Sequence, residues 1–338
     1  METAPDPSFP GSSIPESSFR PAPLNAAQHA VLDLLGADRD ARPSFDPALR
    51  TELHHVLREG LRPIVDDLPP DTSLWVGKHP LSAVHGCEAK LLADEQESFT
   101  WTPPIARGVV AHKAIELGVN WSGEVTPLHL VDEAIASLQG SGDKCGEWLS
   151  TCGETQRAEV RSEANDRVAK FLECFPPLKK AWAPVTESRC RVELHDGRVV
   201  LAGKIDLSLG RATGSTAGKV LIDLKTGGFV PSHLDDLRFY ALLETIRLGT
   251  PPRLLATYYL DSGQPRVEPV STAILESATR RTIEGARRLA DLRHGGVDPV
   301  KRTGAACRWC PVVESCLEGK AFLTERDGLD DLGFDAVG

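Results

Sequence analysis

The chain contains 338 residues, which is enough for two ordinary domains or for one large domain with insertions. With 41% hydrophobic and 25% charged residues it can bury a substantial core, which argues against global disorder. The formal net charge of -10 argues against nonspecific coating of nucleic acid, although an acidic protein can still gather its basic residues along one groove.

The sequence contains neither a continuous apolar run of about 18 residues nor an N-terminal basic segment followed by an apolar one. We therefore expect a soluble cytoplasmic protein with no membrane partner. The pattern Gly-x-x-x-x-Gly-Lys-Ser/Thr is also absent, so we predict no ATP site in this chain.

The first part of the chain is predicted to be mainly helical. Apolar stripes indicate helices before position 66, and further helices are expected at Ser82–Leu92 and Gly108–Leu117. The predicted segments are a disordered leader at 1–23, a helical N-terminal extension at 24–75, a main domain at 76–322 with a helical insertion at about 128–182, and an acidic tail at 323–338.

The periodicity changes after the insertion. Runs rich in β-branched residues predict strands at Arg189–Leu194, Val199–Leu209 and Lys219–Lys225, followed by a helix at Leu234–Leu248, a strand at Arg253–Leu260 and a helix at Ile274–Arg293. This order favours an α/β (α+β) fold in which helices pack on a sheet.

Two predicted strands carry charged side chains that call for an explanation. Asp223 and Lys225 share one face of their strand, and antiparallel pairing would bring Asp206 of the preceding strand close to Asp223. Carboxylate oxygens suit Mg²⁺ or Mn²⁺, and a neighbouring lysine can stabilise an anion or position a water molecule. Such a group is suited to metal-assisted phosphodiester hydrolysis. The alternative is a surface ion pair between Asp223 and Lys225 on an edge strand.

Three cysteines are clustered near the C-terminus. Cys307, Cys310 and Cys316 have the spacing Cys-x2-Cys-x5-Cys, which suggests a thiolate site whose fourth ligand lies elsewhere, with zinc as the generic occupant. Trp309 between them is interpreted as a packing residue. The remaining cysteines have no matching spacing, and we interpret Cys145, Cys152, Cys174 and Cys190 as ordinary free thiols.

The last long helix carries a basic stripe. Its members are Arg280, Arg281, Arg287 and Arg288. They are weak candidates for contact with a phosphate backbone, and the alternative is a solvated helix face partly neutralised by Glu284 and Asp291.

Several motifs occur in an order that resembles the PD-(D/E)XK nuclease superfamily, and its RecB-like branch in particular, which includes AddB-type and CRISPR-associated adaptation nucleases. The motifs are Gly203-x-x-Asp206, Asp223-x-Lys225-Thr-Gly and Tyr240 in the following helix, preceded by a Gly-x-x-x-His motif at Gly108 and His112. The resemblance covers about residues 80 to 320. It implies a restriction-endonuclease-like core with a mixed central sheet flanked by helices.

The resemblance also implies roles for individual residues. The implied metal ligands are His112, Asp206, Asp223 and the backbone carbonyl of Leu224; the implied catalytic residues are Asp206, Asp223, Lys225 and Tyr240. Lys225 would orient the attacking water or stabilise developing negative charge, and Tyr240 would contact the nucleic acid. Asp236, which stands where the family usually has Gln, is a weak candidate for the same contact. Glu116 and Glu187 are weaker candidates for support of the metal site, and the favoured interpretation of both is an ordinary surface carboxylate.

Members of this branch that contain iron and sulfur have one distant N-terminal cysteine and the same C-terminal spacing. The resemblance therefore implies a [4Fe-4S] cluster held by Cys87, Cys307, Cys310 and Cys316, which would join the two ends of the domain. The family often has Pro after the first cysteine, where this chain has Glu88.

We therefore expect a metal-dependent deoxyribonuclease using Mg²⁺ or Mn²⁺, an exonuclease on single-stranded DNA in repair, recombination or defence, working beside a separate helicase or other motor. The alternatives are an inactive nucleic-acid-binding module that retains the fold and cluster, and a zinc-stabilised interaction domain.

Overall fold

The computed structural model describes residues 23–123 and 125–330, with the backbone alone for 328–330. Residues 1–22 of the expected leader and 331–338 of the expected acidic tail therefore lie outside the described part of the chain. The first eight residues of that tail, 323–330, continue the last helix.

The helices are α1 (Ala26–Leu35), α2 (Leu49–Asp67), α3 (Lys78–His85), α4 (Glu88–Gln96), α5 (Pro103–Val119), α6 (Pro127–Gly140), α7 (Lys144–Thr151), α8 (Glu154–Cys174), α9 (Ser232–Leu248), α10 (Thr272–His294) and α11 (Leu317–Asp330). The strands are β1 (Leu74–Val76), β2 (Val185–Leu194), β3 (Val199–Leu209), β4 (Val220–Lys225), β5 (Leu254–Tyr259) and β6 (Gln264–Pro269).

The six strands form one mixed sheet in which β3 is central. Along one side β3 pairs antiparallel with β2, and along the other it pairs first with β1 in parallel and then with β4 antiparallel. Strand β5 lies parallel to β4, as the α9 crossover requires, and β6 returns antiparallel to β5. Asp196 and Gly197, both with positive φ, form the tight turn that joins β2 to β3.

Helices cover both faces of the sheet. One apolar core contains buried leucines of α2 together with α9 and α10, and a second core contains α5, α6 and α8. Strand β4 contributes to both cores because its side chains alternate: Leu221 belongs to the first, and Ile222 and Leu224 belong to the second. The predicted α/β fold with a mixed central sheet flanked by helices is confirmed.

The N-terminal helices pack directly on this sheet. Leu57 and Leu61 of α2 are fully buried in the first core, and Val31 of α1 is fully buried in the second. Because β1 also pairs with β3, residues 24–75 and the sheet share one interior. The domain boundary expected at position 76 coincides with the last residue of β1.

Some elements differ from the expectation. The helix expected at Ser82–Leu92 is two helices, because the chain breaks at Gly86 and Cys87. Strands β1 and β6 were not predicted from the pattern; β1 has only three residues, and β6 is largely exposed. No helix in the described residues is both long enough and apolar enough to cross a membrane.

Candidate functional site

Two carboxylates meet where β3 pairs with β4. The register aligns Leu207 with Ile222, so the next pair along the ladder is Asp206 with Asp223. Both aspartates are buried, with 8% and 1% exposure respectively. Asp206 Oδ2 accepts a hydrogen bond of 2.8 Å from the backbone N–H of Leu224. The hairpin geometry thus explains why two charged groups lie together on a central strand.

His112 and Glu187 complete a cluster around Asp206. His112 projects from α5 and places Nδ1 3.6 Å from Asp206 Oδ1, while Glu187 stands on β2 opposite Asp206. One ligand atom from each of the three residues lies within 4.8 Å of the other two. Imidazole nitrogen and carboxylate oxygen are common ligands of divalent cations in proteins.

The charges of the cluster change the pKa values of Asp206 and His112. Burial opposes ionisation of Asp206, but His112 and Lys78 outweigh it and lower the pKa of Asp206 to about 2. Burial also opposes protonation of His112, but the negative charge of Asp206 outweighs it and raises the pKa of His112. Asp206 therefore stays ionised throughout the physiological range. His112 must lose its proton before its ring nitrogen can bind a metal ion.

Glu187 has an unusual backbone conformation. Its φ of 52° lies in the left-handed region, which residues with a side chain rarely adopt within a strand. Its carboxylate also forms an ion pair with Lys204 of β3. Backbone strain of this kind is concentrated at functional sites, where it directs a side chain. Here it accompanies a carboxylate that faces Asp206.

Two lysines hold Asp223. Lys78, at the start of α3, donates a 2.9 Å hydrogen bond to Oδ1, and Lys225 Nζ lies 2.9 Å from Oδ2. Burial would lower the pKa of Lys78, but Asp223 outweighs it and raises that pKa. Oδ2 of Asp223 is buried and accepts no well-aligned hydrogen bond. Lys225 also lies 3.5 Å from Asp236, whose pKa burial raises.

The aromatic ring of Tyr240 packs against Lys78. Its side chain is 2% exposed, and Lys78 Nζ stands 5.4 Å from the centre of its ring. Burial raises the pKa of the phenol. Gly203 is needed here because a Cβ at that position would lie 2.2 Å from Cε1 of Tyr240. The ring of Tyr240 is therefore packed in the core, next to the lysine that contacts Asp223.

A divalent cation fits the donors of this site. The structure brings together the predicted residues His112 and Asp206, with Asp223 and Lys225 adjacent. It adds Lys78, which sequence reasoning missed, and Glu187, which the sequence offered only as a weak candidate. For Leu224 the contact with Asp206 comes from the amide N–H. The register was the available signal for Glu187, because pairing across the β2–β3 turn places it opposite Asp206. Glu116 instead pairs with Lys113 on α5.

The sequence from 80 to 317, more than half of the chain, matches the PD-(D/E)XK nuclease superfamily. The chain belongs to this superfamily. Nucleases of the superfamily use divalent metal ions, which agrees with the donors around Asp206. No curated protein matches the chain in sequence.

Two solved structures show limited similarity to this nuclease-superfamily chain. An exonuclease candidate from Eubacterium rectale is 11% identical, with a TM-score of 0.43, over 72% of this chain and 87% of its own. A protein named SSO0001 is 12% identical, with a TM-score of 0.34, over 80% of this chain and 97% of its own. Both TM-scores are below the level that establishes a common fold.

The four cysteines singled out in the sequence line one cavity. Cys87, at the N-terminus of α4, faces Cys307, Cys310 and Cys316 across this space. In the described residues, no three of these sulfur atoms lie within 4.8 Å of one another. The other four cysteines do not line this cavity, and none of the eight forms a disulfide.

A polar clamp holds the C-terminal segment against α4. The buried carboxylate of Glu88 accepts two hydrogen bonds from Arg288, of 2.9 and 2.6 Å, and one of 2.7 Å from the backbone N–H of Val300. Arg302 also donates a 2.9 Å hydrogen bond to the carbonyl of Gly86. These contacts join the first and last parts of the domain beside Cys87.

The expected basic stripe is largely engaged within the protein. Arg281 pairs with Asp235, Arg287 donates to the carbonyl of Gly60, and Arg288 belongs to the Glu88 clamp. Arg280 is exposed. Three of the four predicted contact residues thus stabilise helix packing, and the stripe is not a free basic face.

Proposed function

We propose that this chain is a metal-dependent DNA nuclease that acts as an exonuclease on single-stranded DNA. The observation that carries the proposal is the cluster of His112, Glu187 and Asp206 within 4.8 Å, next to the paired Asp223 and Lys225. A structural ion pair would not require a third carboxylate and an imidazole beside two buried aspartates. A role in repair, recombination or defence is part of the same proposal.

The chain supplies the ligands and the cationic groups of such a reaction. His112, Glu187 and Asp206 would hold Mg²⁺ or Mn²⁺, with Asp223 and the carbonyl of Leu224 as further ligands. When bound, the cation would polarise the scissile phosphate and activate water.

The lysines would act on the phosphate and on Asp223. Lys225 would orient the attacking water or stabilise negative charge on the phosphate. Lys78 would hold the carboxylate of Asp223 in place, since its ammonium group donates a hydrogen bond to Oδ1. The ring of Tyr240 would position Lys78 through a cation–π contact.

We further propose that the four cysteines of the cavity hold a [4Fe-4S] cluster and that the chain belongs to the RecB-like branch. Tetrahedral zinc with Zn–S bonds of about 2.3 Å requires sulfur atoms roughly 3.8 Å apart. In the described structure no three sulfurs of the cavity lie within 4.8 Å of one another, which favours a larger group. Iron and sulfide analysis of anaerobically purified protein tests this; one zinc per chain without iron would favour the zinc-stabilised domain.

One observation favours a second candidate, a nucleic-acid-binding module without turnover. Each carboxylate oxygen of Asp223 already has a lysine 2.9 Å away, so the charge of Asp223 is neutralised within the protein. In that case the lysines would bind phosphate without cleavage. Because the chain has no ATP-binding pattern, we propose that unwinding of duplex DNA, in either case, depends on a separate motor protein.

Degradation of end-labelled single-stranded DNA with Mn²⁺ or Mg²⁺ tests the nuclease. We expect cleavage by the wild type and none by Asp223→Asn, which preserves shape and removes the charge. Asp67→Asn, at the exposed end of α2, is the matched control and should cleave normally. Equal cleavage by wild type and Asp223→Asn would assign the activity to a contaminant. Strand binding without cleavage by folded, metal-loaded wild type would establish the binding module.

A further inference from the structure

A large cavity lies at the end of the sheet where β3 ends and β4 begins. It has a volume of about 810 Å³ and is bordered by α1, by the segment that follows α8, and by Leu209 and Val220. Val220 is three residues from Asp223 along β4, a distance of about 10 Å at the usual rise of a strand. Neither this cavity nor its lining residues belong to the cluster around Asp206.

The charged side chains that line the cavity are all basic. They are Arg39, Arg42, Lys180, Arg211 and Arg253. No carboxylate lines it among the residues that the structure describes, although Asp38 and Asp40 lie in the same loop. No salt bridge involves any of these five cations in the described part of the chain. In a protein with a net charge of -10, five neighbouring cations that have no carboxylate partner among the described residues favour an external anion.

Two of these guanidinium groups are partly buried. Arg42 donates to the carbonyl of Ala37 at 3.3 Å, and Arg253 donates to the carbonyl of Leu35. The Nε atoms of both arginines are buried and have no hydrogen-bond partner. Burial, together with the charge of Arg42, lowers the pKa of Arg253. Because both arginines line the cavity, their remaining N–H donors are suited to an anion that supplies acceptor oxygens.

The rest of the wall is apolar and aromatic. Leu32, Phe175 and Pro176 line one part of the cavity, and the indole of Trp182 lines another. Pockets of 300–1,000 Å³ are typical of small-molecule and cofactor sites. A ligand that satisfies both parts of the wall carries a phosphate and a flat, weakly polar ring.

We propose that this cavity binds a nucleoside phosphate, with the phosphate against the arginines and the base against the apolar wall. The proposal does not depend on the nuclease activity. A free nucleotide and a nucleotide at the end of a DNA strand offer the same chemistry, and competition between them distinguishes the two sources.

Calorimetric titration with deoxyadenosine monophosphate in EDTA tests the proposal, because no strand is cleaved without a divalent metal. The test variant is Lys180→Gln/Arg211→Gln, since both side chains are exposed and form no hydrogen bond or salt bridge within the described residues. The control is Arg58→Gln/Arg326→Gln, which removes the same charge from exposed positions outside the cavity. Circular dichroism checks that both variants fold.

We expect saturable binding to the wild type and to the control. A cation about 4 Å from a phosphate in water contributes a factor of about five in affinity, so loss of two cations should weaken binding roughly 25-fold. Deoxyadenosine without phosphate should bind far more weakly. Competition by a 5′-phosphorylated ten-nucleotide strand would identify a strand end as the source, and lack of competition a free nucleotide. Equal affinity in the wild type and the test variant, or no saturable binding to the wild type, would overturn the proposal.

Discussion

Replacing Gly203 with alanine tests the packing beneath the candidate site. The added Cβ would lie 2.2 Å from Cε1 of Tyr240, whereas ordinary contacts begin near 3.4 Å, so the ring would have to retreat by more than an ångström. Tyr240 is among the largest fully buried side chains, so its ring can move only by displacing other core residues. Overpacking of a core costs about 1–3 kcal/mol, and we expect Gly203→Ala to lower the free energy of unfolding by about 3 kcal/mol.

Urea unfolding followed by circular dichroism measures this loss. Gly228→Ala is the matched control, because a Cβ there meets nothing within 4 Å and its effect should stay below about 1 kcal/mol. In a Tyr240→Leu background the Gly203→Ala substitution should cost much less, since the clashing ring is gone. If Gly203→Ala lies within about 0.5 kcal/mol of the wild type, the contact between Gly203 and Tyr240 does not constrain the site.

Two further substitutions address the metal ligands and the clamp. Glu187→Gln should weaken Mn²⁺ binding, measured by calorimetry, by about tenfold or more, and unchanged affinity would remove Glu187 from the ligand set. Glu88→Gln should lower the free energy of unfolding at pH 7 by about 2 kcal/mol, because hydrogen bonds to Arg288 are lost. Those hydrogen bonds also lower the pKa of Glu88, so its contribution is present above the unfolded pKa of about 4.3 and disappears as the pH falls through the folded value. The stability curves of the wild type and Glu88→Gln should therefore converge in acid, and a constant difference down to pH 2 would contradict the assignment.

Much of the fold could be predicted from local patterns. Apolar stripes predicted α2 and α10, and apolar alternation predicted β3 and β4. The side chains in these patterns are the ones that the structure buries. Strand β1 could not be recognised because three residues carry no periodicity, and it forms only because β3 offers a free edge beside Val199. The break at Gly86 was also missed, since the apolar spacing continues across it.

The part of the site that lies on two successive strands could be predicted from the sequence. Asp206 and Asp223 are neighbours in a hairpin, so strand register alone brings them together. Lys78 is separated from Asp223 by 145 positions, and only the docking of α3 against the sheet brings it to the carboxylate. The spacing of Asp236 and Tyr240 predicted a shared helix face, but the burial of the Tyr240 ring against Gly203 depends on how α9 docks on β3, which the spacing does not carry.

The backbone conformation of Glu187 makes selection for stability and selection for DNA cleavage favour different residues at this position. A non-glycine residue in the left-handed region costs about 1 kcal/mol or more, and glycine would adopt the same φ almost without cost. A library screened only for heat resistance should therefore enrich glycine at position 187, whereas a library screened for cleavage of DNA should return glutamate. This position is one where natural variants with weakened catalysis would gain stability.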